Sequence, residues 1–492
     1  MTRRLVAGVD SSTQSAKVLL VDVGDGTVVA RGTAPHTVAG TDGARESDPV
    51  EWWDALRAAL AQALAQAGPG GDVAAISVGA QQHGLVTLDS RGDPVRPAML
   101  WNDVRAAPQA VELIDALGSS GPGDPGGGAA QWAARAGTVP VASITAAKWA
   151  WLRRHEPASA ARTAAIRLPH DYLTQRLCGA PVTDRGDASG TGWFSTATDA
   201  YDPDILALPL LELDPALLPR VHAPGEVAGT VTPAAATALG LRPGTVVGIG
   251  TGDNMAAALG LGLAPGEPVI SLGTSGTAYA VSVRRPADPT GVVAGFADAA
   301  GAFLPLSATL NCTQAVDRMA VLLGHDREAV EPGGTAVVLP FFDGERTPNL
   351  PNAAGLITGL RHDTTAGQLL QATYDGAACT LLTALEQVGS SGDAIAPGAP
   401  LILIGGGAKG AAWRDTIRRL SGRGLLVPDA AELVALGAAA QAAAALTGER
   451  APDVARRWDT RRGSRYEPLA ADTTALEEFN AALRRAHDLL DP

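Results

Sequence analysis

Two short stretches of the chain hold residue types from which chemistry can be built. In residues 246–254 an apolar run meets Gly-Thr-Gly and then Asp253-Asn254, ahead of a helical pattern. A carboxylate at a strand-to-helix turn can take a proton from an alcohol. Further on, Leu272-Gly273-Thr274-Ser275-Gly276 separates two more apolar runs. A turn of Gly and small hydroxyls exposes backbone N–H groups that can hold phosphate oxygens. The pair points to phosphoryl transfer onto a hydroxyl. Each half also has a plain alternative, since Asp253 can be a helix N-cap and the glycine turn an ordinary hairpin loop.

A turn of the same kind recurs near the start. Residues 5–31 hold three apolar runs, separated by Asp10-Ser11-Ser12-Thr13-Gln14-Ser15 and by Gly24-Asp25-Gly26. That pattern predicts a three-stranded antiparallel meander. The repeated device suggests an internal duplication, with two facing hairpins gripping a polyphosphate and Asp10 holding a hydrated Mg²⁺. The alternative for Asp10 is a plain turn aspartate.

Other candidates lie where strands end. Residues 73–79 read as a buried strand that runs into Gln81-Gln82-His83-Gly84. In parallel sheets ligands gather at the carboxyl ends of strands, and Gln and His there can bond sugar hydroxyls, although a lone His is more often structural. Residues 96–105 bring together Trp101, Asn102, Asp103 and Arg105, with Asn102 or Asp103 expected to cap a helix over 104–117. Residues 401–404 form a strand pattern leading into Gly405, Gly406, Gly407, Ala408 and Lys409, then a helix over 411–420. Such glycines let backbone lie against a flat base or a phosphate, so this is the expected adenosine site, although caps and turns also use Gly. The P-loop and protein-kinase motif sets are absent.

These pieces need a scaffold. Helices are expected from Asp48 to about residue 67, over 143–155 carrying Lys148, and over 364–390. At 492 residues the chain should form two domains, with the division placed between residues 244 and 245, after Pro243-Gly244. Residues 118–128 read as a surface loop. No run of eighteen apolar residues occurs, and the first residues pass from two Arg straight into a strand pattern without a signal region, so a cytoplasmic enzyme is expected. A net charge of −13 argues against non-specific binding to nucleic acid or membrane surfaces. Cys178, Cys312 and Cys379 have no metal-ligand spacing and read as reduced thiols. The heavy Ala, Gly and Arg bias reads as coding composition rather than physics.

Taken together, the blocks GVDSSTQSAK, GAQQHG, LWNDVR, ITAAKWAWLRRH, LPHDYL, TDRGDASGTGWF, GTGDNMAAALG, SLGTSGT, LPFFDGERTP and IGGGAKGAAWRD, with residues 355–375, resemble the FGGY carbohydrate kinases. The resemblance covers most of the chain. It implies an α/β fold of two actin-like (ribonuclease-H-like) domains flanking a cleft, the first mainly for sugar and the second mainly for nucleotide. It also implies ATP-dependent phosphorylation of a ketopentose, with D-xylulose the expected acceptor. Asp253 would be the proton acceptor and Asp10 would support metal and phosphate, the two carboxylates being the candidate Mg²⁺ ligands. Gln82, His83, Asn102, Asp103 and Asn254 would line the sugar pocket. Thr13, Gln14, Lys17, Gly273, Thr274 and Ser275 would surround the phosphates, with Gly406, Gly407 and Ala408 near adenine. Some members have Met where Gln82 stands, which leaves open another sugar or polyol such as ribulose, gluconate or an alditol. An actin-like ATPase acting on a polypeptide is the more distant alternative. Glu345-Arg346 reads as a structural ion pair. Sugar and ATP are the expected partners, and a homodimer is one open assembly.

Overall fold

The computed structural model describes residues 3–68, 71–118, 126–393 and 395–490. The expected meander is present, as β1 (Arg3–Ser11), β2 (Ser15–Asp22) and β3 (Val28–Pro35). Helix α1 (Pro49–Ala67) comes next, with Asp48 accepting from the Val50 N–H at 2.9 Å as its N-cap. It leads into β4 (Gly71–Ala80), which lies parallel to β1. Beyond a helical excursion that includes α2 (Thr145–His155), the chain returns through β5 (Val227–Thr230) and β6 (Val246–Gly248), and β6 pairs in parallel with β4. The sheet order is β5-β6-β4-β1-β2-β3. Helix α3 (Asp253–Gly260) then leaves this sheet.

The second half repeats the plan. Strands β7 (Pro268–Leu272), β8 (Gly276–Ala280), β9 (Ala294–Ala297) and β10 (Phe303–Thr309) form an antiparallel set. The long helix α4 (Ala366–Ser391) leads to β11 (Leu401–Ile404), parallel to β7. Then come α5 (Ala411–Ser421), β12 (Leu425–Pro428), α6 (Leu433–Thr447) and β13 (Gly463–Tyr466). The order here is β9-β10-β8-β7-β11-β12-β13. Setting β7, β8, β10, β11, β12 and β13 against β1, β2, β3, β4, β6 and β5 matches every pairing direction between neighbours. The duplication inferred from two similar turns extends to two whole sheets.

The chain passes from one sheet to the other between α3 and β7. Pro243-Gly244, where the division was expected, lies instead within the connection between β5 and β6, after a short helix Pro233–Leu239, and those two strands pair antiparallel within the first sheet. Nor is the second half self-contained, because the Ala-rich face of α6 packs on Val6, Leu19, Val21 and Ala75 of the first sheet. A Cβ on Gly437 would lie 1.8 Å from the Ala256 carbonyl oxygen of α3, so the two helices touch backbone to backbone. Small residues therefore have a packing use here beyond coding bias.

Two smaller expectations also change. The helix after the WNDVR block runs Ala107–Ala116 with Ala106 at the N-cap and no side-chain cap, so neither Asn102 nor Asp103 caps it. Of the loop expected over 118–128, residues 119–125 lie outside the described residues, and Gly128 already begins a helix, Gly128–Ala136. Among the described residues no helix is long and apolar enough to cross a membrane.

Candidate functional site

Asp253 stands at the first position of α3, and Gly252 occupies the N-cap. Its side chain is therefore not the cap. Oδ1 accepts from the Asn254 N–H at 2.8 Å and from Asn254 Nδ2 at 3.1 Å. No other residue bonds Oδ2 among the described residues. The same Asn254 Nδ2 donates to Gln82 Oε1 at 2.8 Å, which joins the end of β4 to the start of α3 across the sheet. The Gln82 Nε2 donor is buried without a partner. Burial, then the charges of Asp10 and Asp187, raise the Asp253 carboxyl to about 7. A group so poised can take a proton near neutral pH.

The turn ahead of Asp253 is fixed from a distance. Gln441, in the middle of α6, accepts from the Gly250 N–H at 3.0 Å and donates to the Gly250 carbonyl at 3.2 Å. Asp184 accepts from the Thr251 hydroxyl at 2.8 Å. Asp184 also belongs to a buried cluster in which His170 Nδ1 lies 2.7 Å from Asp187. Burial opposes protonation of His170, but Asp171, Asp187 and Asp184 together outweigh it and raise the imidazole to about 9. Sequence reasoning assigned these residues no role. Gln441 did carry a signal, as the one strongly polar residue in the apolar run LVALGAAAQAAAALT.

His83 comes directly after Gln82 on the loop beyond β4. Its Nδ1 lies 2.8 Å from the Gly190 carbonyl, which can only accept, so Nδ1 carries the proton. Burial and the Lys148 charge depress the imidazole to about 3. His83 is thus neutral, with Nε2 left as a hydrogen-bond acceptor.

Asp10 and Lys17 face each other across the first hairpin. Lys17 Nζ lies 3.4 Å from Asp10 Oδ2 and 2.9 Å from Glu432, so the ammonium is engaged by carboxylates. Burial raises Asp10 to about 6, with Lys17 acting against it. Asp10 Oδ1 is buried with no partner. Among the described residues no group of three or more His, Cys, Asp or Glu side chains could hold a metal ion by itself. Orphaned carboxylate oxygen without an all-protein cage fits Mg²⁺, which keeps several waters and binds through one or two carboxylates and substrate phosphates.

Two cavities meet at the second hairpin. One, of about 800 Å³, is lined by Gly273, Thr274, Gly406, Gly407, Lys409 and Arg414. The other, of about 1150 Å³, lies between the halves and is lined by Thr13, Gln14, Trp101 and Asn102 on one side and by Thr274 and Ser275 on the other. Thr274 borders both. The Gly273 carbonyl accepts from the Thr313 N–H at 3.1 Å and hydroxyl at 2.8 Å, which anchors the turn. Trp101 Nε1 donates to the Thr13 hydroxyl at 3.1 Å, tying the WNDVR loop to the first hairpin.

Other expected site residues turn elsewhere. Asp103 is fully buried, and its oxygens accept from Arg105 Nε at 3.0 and 3.1 Å, from Arg105 Nη2 at 2.6 Å and from the Arg45 N–H at 3.0 Å. It has no acceptor capacity left for a sugar and instead braces the loop that presents Asn102. Ala408 belongs to the core of the second half rather than to a cavity wall. Glu345 makes no ion pair with Arg346. It accepts from the backbone N–H groups of Leu310, Asn311 and Arg346 at 2.6, 3.2 and 2.7 Å, and so pins a loop.

Known proteins are similar to this chain. Residues 5–260 match the N-terminal domain of the FGGY family of carbohydrate kinases, and residues 269–446 match its C-terminal domain. The chain is 62% identical over 487 residues to a xylulose kinase of Streptomyces coelicolor, covering 99% of this chain and 97% of that one. It is 61% identical over 488 residues to a xylulose kinase of Streptomyces rubiginosus, with the same 99% and 97% coverage. A crystal structure of xylulose kinase from Bifidobacterium adolescentis is similar to it with a TM-score of 0.83 and 38% identity, covering 98% of this chain and 100% of that one.

Proposed function

Because the chain belongs to the FGGY family of carbohydrate kinases, we propose that it transfers the γ-phosphoryl group of ATP to the C5 hydroxyl of D-xylulose, giving D-xylulose 5-phosphate and ADP. The extent of identity with xylulose kinases supports this acceptor. The observation that carries the chemistry is Asp253, whose Oδ2 is left unbonded beside Gln82 and Asn254 while Oδ1 is held. Asp253 takes the proton from the sugar hydroxyl as the new O–P bond forms and the β,γ bond breaks. Phosphoryl transfer needs positioning and charge stabilisation more than covalent help.

Gln82 Nε2 can donate to a sugar oxygen, and His83 Nε2 can accept from a sugar hydroxyl. The nucleotide runs from the smaller cavity, with its base against Gly406 and Gly407, past Thr274 into the cleft facing Thr13 and Gln14. A hydrated Mg²⁺ bound with the phosphates would be held by Asp10, with Asp253 near it, and would neutralise charge on the β- and γ-phosphates. Closure of the cleft excludes water as a competing acceptor. We place the enzyme in the cytoplasm.

The test is ADP release measured with a panel of acceptors at fixed ATP. D-xylulose should give the highest kcat/KM. Preference for ribulose, gluconate or an alditol would move the assignment to another acceptor, and turnover stimulated only by a polypeptide would overturn the kinase reading.

A further inference from the structure

The imidazole proposed to meet the sugar is held in a conformation it would not adopt unaided. His83 has φ of 64°, in the left-handed region that a residue with a side chain occupies only where its surroundings hold it. One end of the hold is the Nδ1 bond to Gly190 at 2.8 Å. A Cβ at residue 190 would lie 2.6 Å from the ring, so only glycine permits that approach. The other end is the His83 carbonyl, which accepts two hydrogen bonds from α2. Thr145 Oγ1 donates at 3.2 Å and Lys148 Nζ at 2.9 Å.

Lys148 is an unusual donor. Its side chain is wholly buried at 0% exposure, and its second acceptor is another carbonyl, that of Ser143. Burial pushes the Lys148 ammonium down to about 7, with the charge of Asp103 acting against it, and Asp103 is itself committed to Arg105. Burying an ammonium costs far more than burying a methionine of similar length unless the charge is matched, so packing alone gives no reason for lysine here. Carbonyl oxygens, and not carboxylates, take its protons, and one of them belongs to the strained residue.

We infer that Lys148 is a positioning residue for sugar recognition: with Thr145 it fixes the His83 carbonyl and thereby the direction of Nε2, the atom that accepts a hydroxyl of the acceptor sugar. The inference rests on the proposed reading of His83 as a sugar contact. Lys148 touches neither substrate, so its effect passes through residue 83. Removing it should weaken sugar binding and leave nucleotide binding alone.

The experiment compares steady-state KM for D-xylulose and for ATP in Lys148→Met, His83→Ala, the double variant and Thr145→Val. Lys148→Met should raise the sugar KM about tenfold and change the ATP KM by less than about twofold. In the His83→Ala background the same substitution should change the sugar KM by less than about twofold, because two residues acting through one contact are not additive. Thr145→Val should raise the sugar KM by about threefold, as the loss of the longer of the two bonds. Equal effects of Lys148→Met in both backgrounds, or parallel rises in both KM values, would reduce Lys148 to a core-filling residue and overturn the inference. If Lys148→Met does not fold, Thr145→Val decides, and an unchanged sugar KM there overturns it. A raised KM in His83→Ala beside a normal KM in Lys148→Met overturns the inference alone. An unchanged KM in His83→Ala removes the sugar-contact reading and the inference with it.

Discussion

Strands β4 and β11 occupy the same place in two copies of one sheet, each parallel to the first strand of its meander. Their C-terminal continuations differ. After β4 come Gln81, Gln82, His83 and Gly84, and after β11 come Gly405, Gly406, Gly407 and Ala408. One end offers side chains with donors and acceptors aimed across the sheet, and the other offers bare backbone beside an open cavity. A sugar presents hydroxyls that must be told apart one by one, which calls for placed polar groups. A purine presents a flat face that must be approached closely, which calls for the loss of Cβ. The two hairpins differ likewise, since the first keeps the carboxylate of Asp10 and the second only Gly273, Thr274 and Ser275. On the proposed reading, a single topology is specialised at its strand ends.

The greatest effect is expected where the ends converge. Asp253→Asn removes the proposed base and keeps the hydrogen bonds of Oδ1, so turnover should fall at least about a hundredfold while calorimetry still registers both ligands. Turnover near that of the wild type would move the base elsewhere in the cleft. Next, the division of labour itself can be split. His83→Ala should raise the sugar KM by about ten- to a hundredfold and spare ATP. Gly406→Val should do the reverse by about tenfold, since a Cβ there meets nothing within 4 Å and Gly406 lines the cavity proposed for the nucleotide. If both variants shifted both KM values alike, the two ends would not be separate readers.

Much of this was legible in the sequence because strand ends and tight turns are local events. Gly24-Asp25-Gly26 and the LGTSG turn are written in consecutive residues, and so was the meander. Pro243-Gly244 misled for the same reason, because that pair marks a turn inside a domain as readily as a linker. The site's supports are not local. Gln441 reaches Gly250 from 191 residues away, and His83 meets Gly190 across 107. No periodicity records such pairs. Asp103 is a different failure. Its partner is only two residues off, but whether a carboxylate turns to a neighbouring Arg105 or to a ligand is decided by rotamer and packing, which spacing does not encode.

Smaller effects sharpen the electrostatic side. Burial with Asp10 and Asp187 lifts Asp253 from 3.8 to about 7, and the proposed base must be deprotonated to act. The profile of kcat/KM for sugar should therefore rise through an acid limb near pH 7 and fall about tenfold per unit below it. A limb near pH 4 would mean an ordinary carboxylate. Asp10→Asn retains the shape of the first hairpin but loses charge beside the phosphates, so the Mg²⁺ concentration for half-maximal activity should rise by about threefold or more. A titration matching the wild type would return Asp10 to the role of a turn residue.

The most direct test is a crystal structure with D-xylulose and a non-hydrolysable ATP analogue bound together. The C5 hydroxyl should lie within hydrogen-bond distance of Asp253, with His83 Nε2 on another sugar hydroxyl, the purine against Gly406 and Gly407, and the γ-phosphate between the two hairpins. A sugar seated away from Asp253, or a purine at the β4 end with the sugar at the β11 end, would contradict the account.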